Sequence, residues 1–224
     1  MNFKINNYQD LSVTQMLIGF NVAIYIVMYF FGFSNYFIEH FCSLGVVSGV
    51  YNPITGETIS QTTIFETNQY YRFLTSNYLH GHLMHVMFNM IALYSLGEVI
   101  ESLIGRKKFL IVYTLSGVGG SLLSSIMNIY LMPNEIIRSV GASGAVFGIA
   151  GCLVVLAVYR RNRGMDLLYR INYQPLVLML GLNLVMGHMV EGIDNWGHIG
   201  GLIAGCLIGG IYSYMIEKRN LNNF

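Results

Sequence analysis

The sequence predicts an all-α, polytopic membrane helix bundle with six transmembrane helices, and three observations lead there. Hydrophobic residues make up 54% of the chain and charged residues 10%, against about 25% charged in a soluble domain. The charges also cluster, so long apolar runs alternate with short polar patches, a pattern of spans and loops. Finally, at roughly 20 residues per crossing, the length of 224 residues accommodates about six helices in one bundle.

The spans are expected at about 11–33, 83–104, 109–129, 141–159, 175–190 and 196–216 within a single membrane domain, 1–224. The first runs past the length of a signal-peptide core and lacks a small-residue cleavage pattern, so it is expected to remain as a span. Between spans 1 and 2, residues 34–72 mix Tyr, Phe and Asn without sustained periodicity. An interfacial loop with short helical or hairpin pieces is expected there, bending at Asn52-Pro53 and Gly56.

Basic residues set the orientation. Lys4 precedes span 1; Arg106, Lys107 and Lys108 follow span 2; Arg160, Arg161, Arg163 and Arg170 follow span 4; Lys218 and Arg219 follow span 6. Only Arg72 and Arg138 fall on the other side, so both termini are expected in the cytoplasm and spans 2, 4 and 6 run inward in parallel. A net charge of +1 without a basic stripe gives no reason to expect a nucleic-acid partner. Cys42, Cys152 and Cys206 are too few and scattered for a disulfide framework and are read as small buried hydrophobes.

Polar groups inside apolar helices are costly and call for a reason. Span 2 opens with His80-Gly-His82-Leu-Met-His85 and continues to Asn89; His85 and Asn89, four apart, share a helix face. Span 4 opens with Gly141-Ala-Ser143-Gly144, a serine among small residues at a helix start, where backbone N–H groups attract negative charge. Span 6 opens with Asp194-Asn-Trp-Gly197-His198. Counted from the polar cluster that ends each helix, His85 stands 21 residues up, Asn89 17, Ser143 17 and His198 19. These are heights of about 25 to 32 Å, near the outer edge of the hydrocarbon, where a pocket open to the exterior can hold water.

Gly197, Gly201, Gly205 and Gly209 recur every fourth residue along span 6, and Gly144, Gly148 and Gly151 line span 4. Small faces let helices approach closely. The stripes alone signify generic membrane-helix packing. Here each begins beside Ser143 or His198, and close packing is what a hydroxyl and an imidazole need to meet.

In these elements the sequence resembles the rhomboid family of intramembrane serine proteases over nearly its whole length. The residues are Arg72, the run His80–Asn89, Glu101, Gly141-Ala-Ser143-Gly144, Phe147 and Gly197-His198-Ile-Gly-Gly201. The resemblance implies Ser143 as nucleophile and His198 as general base, a dyad without a carboxylate. It implies an oxyanion hole from the His85 and Asn89 side chains and the Ser143 backbone N–H, with His80 in support. Arg72 and Glu101 correspond to positions that brace the loop after span 1 and the bundle, and Phe147 to a ring beside the catalytic histidine. Tyr71 stands where the family often has tryptophan, and Phe147 where some members have tyrosine. The implied substrates are single-span membrane proteins, cleaved after small side chains where their helices unwind near the exterior of a bacterial cell membrane. No cofactor or metal is implied, and the oligomeric state is not indicated.

Two other readings use the same residues. His82 and His85 have HxxH spacing and, with His80, His188 and His198, could belong to a metal-binding membrane protein or transporter. A rhomboid-like protein that binds transmembrane clients without catalysis would be expected to lack the serine or the histidine, and both are present.

Overall fold

A capping box starts the first helix. The Gln15 backbone N–H donates to the Ser12 hydroxyl and the Ser12 N–H to the Gln15 side-chain oxygen, which satisfies donors that every helix start leaves unpaired. Helix α1 spans Val13–Phe30. The computed structural model describes residues 11–51, 55, 58–132, 136–162, 174–190 and 192–221. Lys4, Arg163, Arg170 and the turn at Asn52-Pro53 and Gly56 lie outside the described residues, as do the side chains of Arg161, His188 and Arg219.

After α1 the chain forms a short aromatic helix α2, Ser34–Phe41, then β1, Ser43–Leu44, and a hairpin of β2, Val46–Tyr51, with β3, Thr58–Thr63. One turn of helix, α3 at Arg72–Thr75, runs into a 3-10 turn at Ser76–Tyr78. The long helix α4 follows at Leu83–Ile104. Gly105, at φ 84°, ends α4 in a conformation that favours glycine and turns the chain at once into α5, Arg106–Leu131. The strand β4, Arg138–Ser139, pairs antiparallel with β1 in the register Ser43↔Ser139 and Leu44↔Arg138. Helix α6 then spans Ser143–Asn162, α7 Gln174–Met189 and α8 Asn195–Leu221.

Helices α1, α4, α5, α6 and α8 are long and apolar enough to cross a bilayer. Helix α7 is shorter: its 16 residues rise about 24 Å, because the helix opens at Gln174-Pro175 and the chain turns away at Gly192, φ 84°. Large apolar side chains such as Phe20, Phe88, Leu178, Val185, Leu207 and Ile211 are exposed. Exposure on this scale suits a surface solvated by lipid, and the protein is a multi-pass integral membrane protein. Inside, Leu93, Ile100, Phe109, Val112, Tyr113 and Ile149 are fully buried where α4, α5 and α6 meet.

Helices α6 and α8 touch backbone to backbone. A Cβ on Gly201 would run into the Gly144 carbonyl, one on Gly205 into the Gly148 carbonyl, and one on Gly209 would lie 3.1 Å from the Cys152 Cα. Partners ascend together along both helices, so the two run parallel. Helix α5 packs antiparallel across the pair, since a Cβ on Gly200 would lie 2.6 Å from the Gly119 carbonyl oxygen while one on Gly148 would run into the Ser116 side chain.

Two alanine substitutions separate packing from propensity. Gly205→Ala places its methyl against backbone that cannot give way, whereas Gly210 has nothing within 4 Å of the same position. Gly205→Ala should cost about 1–3 kcal/mol, a drop of several degrees in the thermal unfolding midpoint in detergent. Gly210→Ala should leave that midpoint unchanged or higher.

Candidate active site

The segment before α6 is fixed before the helix begins. The Gly141 N–H donates to the Ser76 carbonyl at 3.0 Å, and Gly141 takes φ 128°, a backbone conformation that side chains rarely allow. The Val146 N–H donates to the Ala142 carbonyl, so Ser143 is the first residue of α6 and its own N–H has no acceptor within the helix. At the start of α8 the Asp194 carboxylate accepts the Gly197 N–H at 2.9 Å and the Asp194 carbonyl accepts the His198 N–H at 3.2 Å, a side-chain cap on the last helix.

These two helix starts bring Ser143 and His198 together. The His198 Nε2 lies 2.9 Å from the Ser143 Oγ. With the ring proton on Nδ1, the serine hydroxyl donates to Nε2, the arrangement a general base needs. The Phe147 ring, one turn along α6, stacks on His198 with centroids 4.3 Å apart and planes 7° from parallel. The Nδ1 is buried without a hydrogen-bond partner among the described residues, so Phe147 supplies the orienting contact that a carboxylate supplies in a triad.

His85 and Asn89 approach from α4. A Cβ on Gly141 would lie 2.7 Å from the His85 ring and 3.8 Å from the Asn89 amide nitrogen, which puts both side chains against the residue two before Ser143. The Asn89 amide donates to the His85 carbonyl at 3.1 Å, and its second hydrogen is left for another acceptor. His80 is fully buried, edge-on to His85 with centroids 5.0 Å apart. Burial pushes its imidazole down to about 3, with the neighbouring His85 acting in the same sense, so the ring stays neutral at working pH. A cavity of about 20 Å³, enough for one water, lies beside Ser143 between Ser76, Ser121, Gly141 and Gly197. Among the described residues no three His, Cys, Asp or Glu side chains gather to hold a metal ion.

Arg72 and Glu101 lie away from this cluster. Buried Arg72 donates from Nη1 to the carbonyls of Glu39 at 2.8 Å and Cys42 at 3.2 Å, and the Thr75 hydroxyl donates to the Phe41 carbonyl. Together they satisfy the acceptors at the end of α2. Glu101, on the opposite end of α4 from His85, accepts the backbone N–H groups of Val13 and Thr14 and the Thr14 hydroxyl, each at 2.8 Å. Glu98 beside it accepts the Ser12 hydroxyl at 2.6 Å. The partners Ser12, Thr14 and Glu98, and the caps from Asp194 and His82, were not singled out in the sequence. Ser12-x-x-Gln15 and the aspartate ahead of span 6 were the available signals.

A family model described as Rhomboid domain matches residues 67–215. The chain belongs to the rhomboid family. Among curated relatives, it is 37% identical over 145 residues to the rhomboid protease GluP of Bacillus subtilis (strain 168), a match covering 65% of this chain and 26% of that protein. It is 33% identical over 183 residues to the rhomboid protease AarA of Providencia stuartii, covering 75% and 64%. To RHOMBOID-like protein 4 of Arabidopsis thaliana it is 36% identical over 144 residues, covering 62% and 33%. The rhomboid chain thus spans between about a quarter and two thirds of the length of these relatives.

Gly141→Ala tests the tight approach of the site's backbone to His85. Positive φ and the contact with the ring should together cost about 1–3 kcal/mol, read as a lower thermal midpoint, and the His85 ring resonances should shift. Gly81→Ala, with nothing within 4 Å of its Cβ position, should do neither.

Proposed function

We propose that this rhomboid protein is an intramembrane serine endopeptidase that hydrolyses peptide bonds in or near the transmembrane segments of membrane proteins. The observation that carries the reading is the 2.9 Å contact between the Ser143 hydroxyl and the His198 imidazole at the mouths of two parallel membrane helices. Family membership and relatives named as proteases add to it.

In this reading residues 1–224 act as one catalytic membrane domain. His198 takes the Ser143 proton on Nε2 as Oγ attacks the peptide carbonyl carbon. The negative oxygen formed is met by the His85 ring, the Asn89 amide and the Ser143 N–H, donors held before the reaction starts. His198 gives the proton to the departing amine; a water that His198 deprotonates then attacks the acyl-enzyme, and as the ester bond breaks His198 passes that proton to Oγ, restoring the serine hydroxyl. The positive end of α6 faces the same place and favours the developing charge.

A transmembrane helix keeps its carbonyls bonded internally, so the substrates are single-span proteins whose helices weaken near the exterior face, cut after small side chains. The bundle sits in a bacterial cell membrane with both termini cytoplasmic, an orientation that the distribution of lysine and arginine supports.

The test is cleavage of a fluorogenic transmembrane peptide by the purified protein in liposomes. Wild type should cleave, and Ser143→Ala and His198→Ala should not; retained cleavage in either variant overturns the assignment. Asn89→Ala, folded by its thermal midpoint, should lose about 100-fold in kcat, the usual effect of removing one oxyanion donor.

A further inference from the structure

The usual helix N-caps are serine, threonine, aspartate and asparagine, yet α4 is capped by a histidine. His82 takes an extended backbone conformation, φ −162° and ψ 166°, and its Nδ1 accepts the His85 backbone N–H at 3.1 Å. That bond exists only while Nδ1 carries no proton. A proton there sets one N–H donor against another and adds positive charge at the positive end of the helix. Both effects loosen the first turn of α4, and His85 is the third residue of that turn.

We propose that His82 is a positioning residue that fixes His85 by capping α4, and that protonation of His82 releases this turn and lowers turnover in acid. The inference rests on the reading of His85 as an oxyanion donor. Geometry favours an accessible switch, because His82 is exposed while His80 and Asn89 behind it are buried. The titratable groups around it are His85, with ring centroids 5.6 Å apart, and His80 on the same segment. From α1, the Tyr29 hydroxyl donates to the neighbouring Gly81 carbonyl. No carboxylate lies within ion-pair distance of His82 among the described residues. Among the described residues no neighbouring carboxylate therefore holds the imidazolium in place once it forms.

The test compares wild type with His82→Ser, which caps without titrating, and His82→Ala, which cannot cap. Each is assayed in liposomes at about pH 5 and pH 8, a range spanning the charge change of histidine. Protonation of the base His198 is common to all variants, so the quantity read is the ratio of kcat at the two pH values. The ratio of acid to alkaline kcat should be about three- to tenfold higher in His82→Ser than in wild type. His82→Ala should share that flattened ratio but lose a similar factor in kcat at pH 8, with KM unchanged. Amide hydrogen exchange over 82–90, corrected for intrinsic rates, should show protection lost in acid by wild type and kept by His82→Ser. Equal ratios and equal protection in wild type and His82→Ser overturn the proposal. If no variant, wild type included, cleaves the peptide, the protease reading fails instead, and the exchange comparison still decides the cap.

Discussion

Side chains between two packed helices ordinarily hold their axes 8–10 Å apart, and lipid offers no hydrophobic force to press them closer. The contact between α6 and α8 escapes that spacing because glycine carbonyls and Cα atoms, not side chains, meet at Gly144 with Gly201 and Gly148 with Gly205. A serine reaches only one atom beyond its Cβ, so Ser143 can bond His198 only if the two backbones come this close. Helix α5 closes the third side, where a Cβ on Gly120 would lie 2.5 Å from the Gly197 carbonyl oxygen. The pair Ser143–His198 therefore sits on rigid helices and owes its distance to the absence of side chains one turn further in.

The second economy lies at the helix ends. In a bilayer an unpaired backbone amide has no water to turn to, so each exposed end must find a partner from elsewhere in the chain. Glu101 serves the start of α1, Asp194 the start of α8, His82 the start of α4, and Arg72 the end of α2. Ser143 stands apart: as the first residue of α6 it carries an amide that no helical carbonyl can take. The start of α6 thus keeps a free donor beside the His198 ring, where the starts of α4 and α8 are capped by side chains.

Much of this was legible in the chain. Clustered charges marked the apolar runs, counting from them put His85, Asn89, Ser143 and His198 at one depth, and the glycine stripes pointed to the helices that touch. Less could be read where a partner is distant in sequence or atypical in type. Glu101 announces nothing of the Val13 and Thr14 amides nearly ninety positions earlier, which it accepts. His82 is not a residue one reads as a cap, and HxxH spacing suggests a ligand pair where the structure makes one ring hold the backbone of the other. The shortness of α7 was legible too: the span expected at 175–190 matches the helix found at Gln174–Met189, bounded by Pro175 and the turn at Gly192.

The serines of α5 carry the last step. Ser121 bonds Ser76 at 3.0 Å, Ser124 bonds Ser139 at 3.2 Å and Ser125 bonds Ser43 at 2.9 Å. One polar edge of a single helix therefore ties down the 3-10 turn, β4 and β1, and the first two bring Ser76 and Ser139 to the cavity beside Ser143. Hydroxyls suit this task, since each both donates and accepts and brings little bulk into a tight contact. Because α5 holds those segments, α6 needs no further polar side chain of its own to fix Ser143. Gly144 and Gly148 can then take the positions where Gly201 and Gly205 come closest, and on that contact the approach of α8 depends.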